Sequence, residues 1–188
     1  LHTIMAGADK TFFNPKNFNP WNEKDKLKIV THHWGTNKNK GFEVYEYIDQ
    51  LISVEPWKDK IEFTFIGNWP KNYKFYNSNV VEPLYDIELG NELKKNHLYI
   101  TGSLFEPSGN HHIESSQCGL PLLYIDSGGI PEFAGNYGIE FTEDNLEEKI
   151  LHLMNNYSEY YELMKLYPFS SKKMCKDYEK LFLYITSR

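Results

Sequence analysis

Three glycine-bearing stretches hold most of the residues whose types and spacing could do chemistry. The first runs His32-His33-Trp34-Gly35-Thr36-Asn37-Lys38-Asn39-Lys40-Gly41. Its small residues let backbone N–H groups face a ligand, and Lys38 and Lys40 add positive charge just ahead of an expected helix, where an anion is favoured. The second runs Glu106-Pro107-Ser108-Gly109-Asn110-His111-His112-Ile113-Glu114. Gly109 and Asn110 suit a tight turn with its donors pointing outward, as phosphate oxygens require. Glu106 lies before the turn, and Glu114 about one helical turn inside, roughly 6 Å further along the axis. Two acceptors at different depths around an anion-binding turn suit a diphosphate carrying hydroxyl-bearing groups at both ends. The third, Asp126-Ser127-Gly128-Gly129-Ile130-Pro131-Glu132, permits close backbone approach at its glycines and a helix start at Pro131. Each stretch, taken singly, also suits an ordinary solvated loop or helix start. The adjacent histidines suggest a metal, but neighbouring side chains rarely converge on one ion and no nearby carboxylate completes a facial set. No metal is expected.

These residues need a scaffold, and the chain alternates short apolar runs with amphipathic stretches. Strands are expected at Leu27 to Thr31, Ile61 to Ile66, Val80-Val81, His97 to Thr101 and Leu122 to Ile125. Helices are expected at Gly41 to Ser53, where Phe42, Tyr45, Ile48 and Ile52 share a face, and at Ile87 to Lys95 and Asn110 to Gln117. From Glu143 onward the pattern is helical, broken at Pro168, with a last helix after Ser170. Residues 1 to 24 show little periodicity and read as a connecting segment. Alternation of this kind implies parallel βαβ units. The expected class is α/β, a Rossmann-like, doubly wound parallel sheet flanked by helices, with a C-terminal helical tail.

Composition sets outer bounds. The chain has 188 residues, 40% hydrophobic and 24% charged, which suits one globular domain. Aromatic residues reach 16%, read as large packing side chains. A formal charge of −6 gives no broad hold on nucleic acid. Cys118 and Cys175 lie far apart, outside any metal-ligand spacing, and suggest free thiols in a reducing compartment. No apolar run nears the roughly 20 residues that cross a bilayer, and no signal-peptide pattern opens the chain. A soluble, cytoplasmic protein is expected. The sequence starts at Leu1 rather than Met and is read as a fragment.

In order, the motifs resemble the C-terminal, donor-binding domain of family 4 retaining glycosyltransferases, one half of a GT-B fold. Glu106 and Glu114 match that family's paired glutamates. Ser115 to Pro121 resembles its small-residue helix ending in Cys-Gly-x-Pro, Gly128-Gly129-Ile130-Pro131-Glu132 its next loop, and Lys40-Gly41 its phosphate-binding Lys-Gly. Ile4 to Asp9 with Phe13 and Pro15 is similar to its interdomain segment, with Ala6 in place of an Asn. One departure stands out. The family commonly has an Arg shortly before the Lys, and the stretch Trp34 to Lys38 has none.

The resemblance implies a linker at residues 1–24, a nucleotide-sugar-binding Rossmann-like domain at 25–168 and a C-terminal helix at 169–188. It implies retaining glycosyl transfer, of hexosyltransferase type, from a UDP- or GDP-linked sugar to an acceptor held by an N-terminal domain of the full-length protein. The fragment alone is then expected to be inactive, any membrane attachment would come through other parts, and no cofactor is required. Lys40 and Glu106 would be the catalytic groups, with Glu106 on the sugar hydroxyls. Glu114 would hold the ribose, the turn at Gly109 and Asn110 the diphosphate, and Lys38, His111 and His112 would be further donor-binding groups. Gly67, Asn68, Val81 and Leu84 would flank the base, and Gly128, Gly129 and Glu132 would complete the donor site. Alternatives are a non-catalytic module of the same fold, a sugar-nucleotide epimerase, and a nicotinamide-binding domain; the last lacks a G-x-G-x-x-G turn after its first strand.

Overall fold

A computed structural model describes residues 2–187. Its centre is a six-stranded sheet, parallel throughout, formed by β1 (Leu27–His33), β2 (Ile61–Gly67), β3 (Asn79–Val81), β4 (Leu98–Thr101), β5 (Leu122–Tyr124) and β6 (Gly138–Glu140). The order across the sheet is β3-β2-β1-β4-β5-β6. Seven helices surround it: α1 (Phe42–Leu51), α2 (Asp86–Leu93), α3 (Asn110–Gln117), α4 (Ile130–Ala134), α5 (Leu146–Asn155), α6 (Tyr157–Met164) and α7 (Ser171–Thr186).

Side-chain alternation along the strands divides the core into two layers. Ile29, Phe63, Phe65, Leu98, Ile100 and Leu123 meet Phe42, Tyr45 and Ile48 of α1 and Leu146, Ile150 and Leu153 of α5. The alternate positions Val30, Ile66, Tyr99, Leu122 and Tyr124 point the other way. They meet Leu89 and Leu93 of α2, Ile113 of α3, and Ile130 and Phe133 of α4. Both faces are covered, so the central strands are apolar nearly throughout, as parallel strands usually are.

The expected elements are present, with shifted ends. β1 continues two residues past Thr31, so His32 and His33 belong to the strand and pair with Ile66 and Gly67 of β2. They are buried, not loop residues. His97 and Ile125 lie outside their strands, and Gly41 precedes α1 instead of starting it. The helix start expected at Pro131 is α4, the pattern did not reveal β6, and the long helical stretch after Glu143 divides at Asn156, whose backbone (φ −127°, ψ 23°) leaves the helical region. Ser170 caps the start of α7, its hydroxyl accepting from the Lys173 amide at 3.4 Å.

The described residues before β1 form no helix or strand beyond a bridge from Ala8 to Ser170, yet Phe13, Phe18 and Trp21 are buried. That segment and the start of α7 are tied by the Ser171 amide donating to the Ala8 carbonyl at 2.9 Å.

One contact fixes how the loops meet above the sheet. Gly41 has φ +77°, and a Cβ there would lie 2.2 Å from the Gly102 carbonyl oxygen. Only glycine permits both the left-handed backbone and the approach. Gly41→Ala should lower stability by more than the roughly 1–2 kcal/mol that the backbone conformation alone costs. Urea unfolding measures this, and an unchanged midpoint would contradict it.

Candidate functional site

The carboxyl ends of β1 and β4 stand side by side, and the connections leaving them run to α1 on one face and α3 on the other. This is where the strand order reverses, the place where open parallel sheets usually bind ligands. Between the two connections lies a cavity of about 220 Å³. Its charged lining is Lys40, Glu106 and Glu114, joined by Gly35, Gly109 and Asn110 and by the ring-bearing residues His32, His33, Trp34 and His111.

Local forces hold these groups in position. The Leu104 amide donates to the Asn39 carbonyl at 2.7 Å, joining the β1–α1 and β4–α3 connections. Across that joint the Lys40 ammonium donates to Glu106 Oε2 at 2.6 Å, with both side chains partly exposed. Glu114, four residues into α3, accepts from His32 Nε2 at 3.0 Å. The first turn of α3 has neither a side-chain cap nor an acidic residue. Its amides and the positive end of the helix are therefore left for an anion.

Behind this lining sits a polar cluster. The Tyr45 hydroxyl lies 2.6 Å from His33 Nε2 and accepts from the Gly102 amide at 3.1 Å. His111 Nε2 pairs with Thr101 Oγ1 at 3.0 Å, and the His33 and His111 rings are 4.8 Å apart. Burial holds both imidazoles well below the usual histidine range, and neighbouring histidines and Lys40 push the same way. Burial also raises the Tyr45 phenol to about 12.

Of the residues expected at a site, Lys40, Glu106, Gly109, Asn110, His111 and Glu114 line this one cavity. Gly128 and Gly129 lie behind it. The Gly129 amide donates to the Glu106 carbonyl at 2.8 Å, and a Cβ on Gly128 would stand 2.4 Å from that oxygen. These glycines therefore let one loop brace the other. Gly67 (φ +119°) is pressed against the His33 carbonyl, and Asn68 donates from its amide nitrogen to the same carbonyl and from its side chain to the Trp34 carbonyl. Val81 and Leu84 are partly buried against the second core layer.

Three further expected residues also stand off the cavity. Lys38 and Glu132 are exposed and do not line it. His112 is fully buried and packs edge-on against Phe133, because a helical side chain one position after His111 turns about 100° away, toward the core. Its role here is packing. The rings of His32, His33 and Trp34 were not expected as cavity lining. The signal was their position directly after an apolar strand, and reading β1 as ending at Thr31 hid it.

No family model matches the sequence. A curated protein, the phosphatidylinositol N-acetylglucosaminyltransferase gpi3 subunit of Schizosaccharomyces pombe, is 27% identical over 127 residues, covering 58% of this chain and 28% of that protein. Among solved structures, the sucrose-phosphate synthase of Thermosynechococcus elongatus superposes with a TM-score of 0.69 at 14% identity, over 99% of this chain and 53% of that one. The pneumococcal O-GlcNAc transferase GtfA, solved with UDP and GlcNAc, gives 0.62 at 16% identity, over 99% and 39%. The catalytic domain of starch synthase IV from Arabidopsis thaliana, bound to ADP and acarbose, gives 0.62 at 15% identity, over 93% and 41%. The fold is the Rossmann-like fold of GT-B glycosyltransferases. The chain spans about half, or less, of the length of each of these proteins. Among the described residues, no group of three or more His, Cys, Asp or Glu is arranged to hold a metal, and no helix is long and apolar enough to cross a membrane.

The buried histidines give a prediction about acid. His112 is held to about 3 and His97, whose Nδ1 accepts from the Lys28 amide at 3.0 Å, to about 4, in both cases mainly by burial. With His33 and His111 they stay neutral in the folded chain at pH values where the unfolded chain binds protons. Stability should therefore be full above about pH 6.5 and fall as pH drops toward 4. Neither ring nitrogen of His112 has a partner. His112→Leu should thus change stability at pH 7.5 by less than about 1.5 kcal/mol and flatten the acid slope. Urea midpoints at pH 7.5 and 5 decide; parallel losses in both proteins would contradict it.

Proposed function

We propose that this chain is the donor-binding domain of a retaining glycosyltransferase and that its cavity receives the diphosphate of a UDP- or GDP-linked sugar. One observation carries the reading: a lysine, two glutamates and an uncapped helix N-terminus converge on a single cavity at the carboxyl edge of a parallel sheet. The relatives give it context, since the four proteins described above are each named as a synthase or a transferase, and two of the solved ones hold a nucleoside diphosphate.

In this reading the diphosphate rests on the first amides of α3, beside Lys40. As the bond from sugar to diphosphate breaks, negative charge grows on the departing nucleotide, and a fixed cation and fixed dipoles at that point lower the barrier. Lys40 is the one lysine lining the cavity among the described residues, and the sole arginine of the sequence is Arg188. Lys40 and the helix end therefore carry most of that task. An arriving diphosphate competes with Glu106 for the ammonium, which releases the carboxylate to accept from sugar hydroxyls. Glu114, held by His32, is placed to accept from a ribose. Ligand sites for drug-sized molecules span roughly 300–1,000 Å³, so this cavity encloses the diphosphate and its immediate neighbours. The open side is left for an N-terminal domain of the full-length protein, which would hold the acceptor, with residues 1–24 as the link between the two. No metal enters this scheme.

A second reading, a non-catalytic nucleotide-sugar-binding module, is favoured by the lack of an arginine beside Lys40 and by the engagement of Lys40 with Glu106. Glycosyl transfer by the full-length protein separates the two.

Calorimetric titration with UDP, GDP and ADP should show saturable binding with a preference among them. Glu114→Ala should weaken the preferred nucleotide by about 1–3 kcal/mol, the usual loss when a charged hydrogen-bond partner is removed. Flat traces with all three nucleotides would contradict the reading, and an unchanged affinity in the variant would remove Glu114 from the site.

A further inference from the structure

Beside the cavity stands a pair of aromatic rings that the fold does not need. Trp34 directly follows β1 and lines the cavity, while Tyr85 directly precedes α2. Their rings stack, with centroids 5.1 Å apart and planes inclined by 26°. Both are unusually open for large aromatics, Trp34 at 38% and Tyr85 at 63% exposure. Neither belongs to either core layer. An exposed stack of this kind contributes little to folding, because much of its apolar area stays in water.

The stack is nevertheless held in place. The Asn68 side chain donates to the Trp34 carbonyl at 3.1 Å, and the Asn68 amide donates to the preceding carbonyl, of His33, at 2.9 Å. The loop after β2 thus fixes the backbone that carries the indole. On its inner side the Trp34 ring lies 5.9 Å from the His32 ring, which in turn holds Glu114. A continuous path therefore leads from Glu114 through His32 to Trp34 and on to Tyr85. Tyr85 follows β3 in the chain, on the opposite side of β1 from β4 in strand order. Glu106 follows β4 and pairs with Lys40.

This inference rests on the diphosphate reading of the cavity. We propose that Trp34 and Tyr85 form a stacking platform for the nucleobase of the bound nucleotide. With the diphosphate at α3 and the ribose at Glu114, the next group along the path is planar and aromatic, and an open, pre-positioned ring face is the surface that binds such a group. The platform also makes up for the sparse positive charge of the cavity. Affinity that a richer basic site would draw from the phosphates is drawn here from the base.

The test compares UDP with inorganic pyrophosphate, which has the charge and no base, by NMR titration of the wild type, Trp34→Ala, Trp34→Phe and Tyr85→Ala. Trp34→Ala should weaken UDP about tenfold or more, in the range that base–aromatic stacking supplies, and leave pyrophosphate within about twofold. Trp34→Phe, which keeps a ring face, should recover most of the UDP affinity. Tyr85→Ala should weaken UDP in the same selective way. UDP affinity unchanged in both alanine variants would overturn the platform and leave the cavity reading standing. So would equal losses for UDP and pyrophosphate. A wild type that binds neither would overturn the cavity reading, and the platform with it.

Discussion

The close packing of the β1–α1 connection on the β4–α3 connection is the constraint on which the site depends. Gly41 meets the Gly102 carbonyl at a distance no side chain would tolerate, and the Leu104 amide closes the joint on Asn39. Two segments more than 60 residues apart in the sequence are thereby fixed against each other. Lys40 and Glu106 face one another across the joint as a result. Without it, a flexible lysine and a loop carboxylate would each be ordinary solvated groups, and an exposed pair of that kind contributes little.

The sheet makes the joint possible. Because β1 and β4 are neighbours while their helices pack on opposite faces, their following connections must diverge, and the gap between them becomes a cavity. The order of the strands therefore determines where a ligand can bind, and the loop residues determine what kind. The buried histidines and Tyr45 beneath the cavity add a second level of control. Their hydrogen bonds to Thr101 and Gly102 tie the cavity floor to the end of β4, and their neutrality limits charge repulsion around Lys40. The proposed donor chemistry uses this preorganised arrangement and requires no large movement of the domain.

Much of this was legible in the sequence, for identifiable reasons. Buried parallel strands are short apolar runs, so β1, β2, β4 and β5 were visible, and glycine-bearing loops after them marked the ligand edge. Lys40, Glu106 and Glu114 could be nominated because charged residues beside such loops have few structural reasons to be there. The end of β1 is hidden in the sequence because His32 and His33 look like loop residues, although Thr31 and Tyr45 both meet the His33 ring inside the fold. β6, three residues long, is too short to carry a period, and of α4, five residues long, only the start at Pro131 was legible. The adjacent His111 and His112 could not be told apart by composition. Helix geometry sends one to the cavity and the other to Phe133. Trp34 and Tyr85 were out of reach, since a stack between residues 51 positions apart exists only in three dimensions.

A crystal structure of the chain with UDP or GDP tests the central claim most directly. The account predicts the two phosphates at the first turn of α3 within hydrogen-bonding distance of its amides, with the Lys40 ammonium turned from Glu106 toward them. A nucleotide bound elsewhere, with the Lys40–Glu106 pair intact and the α3 amides facing only solvent, would contradict it.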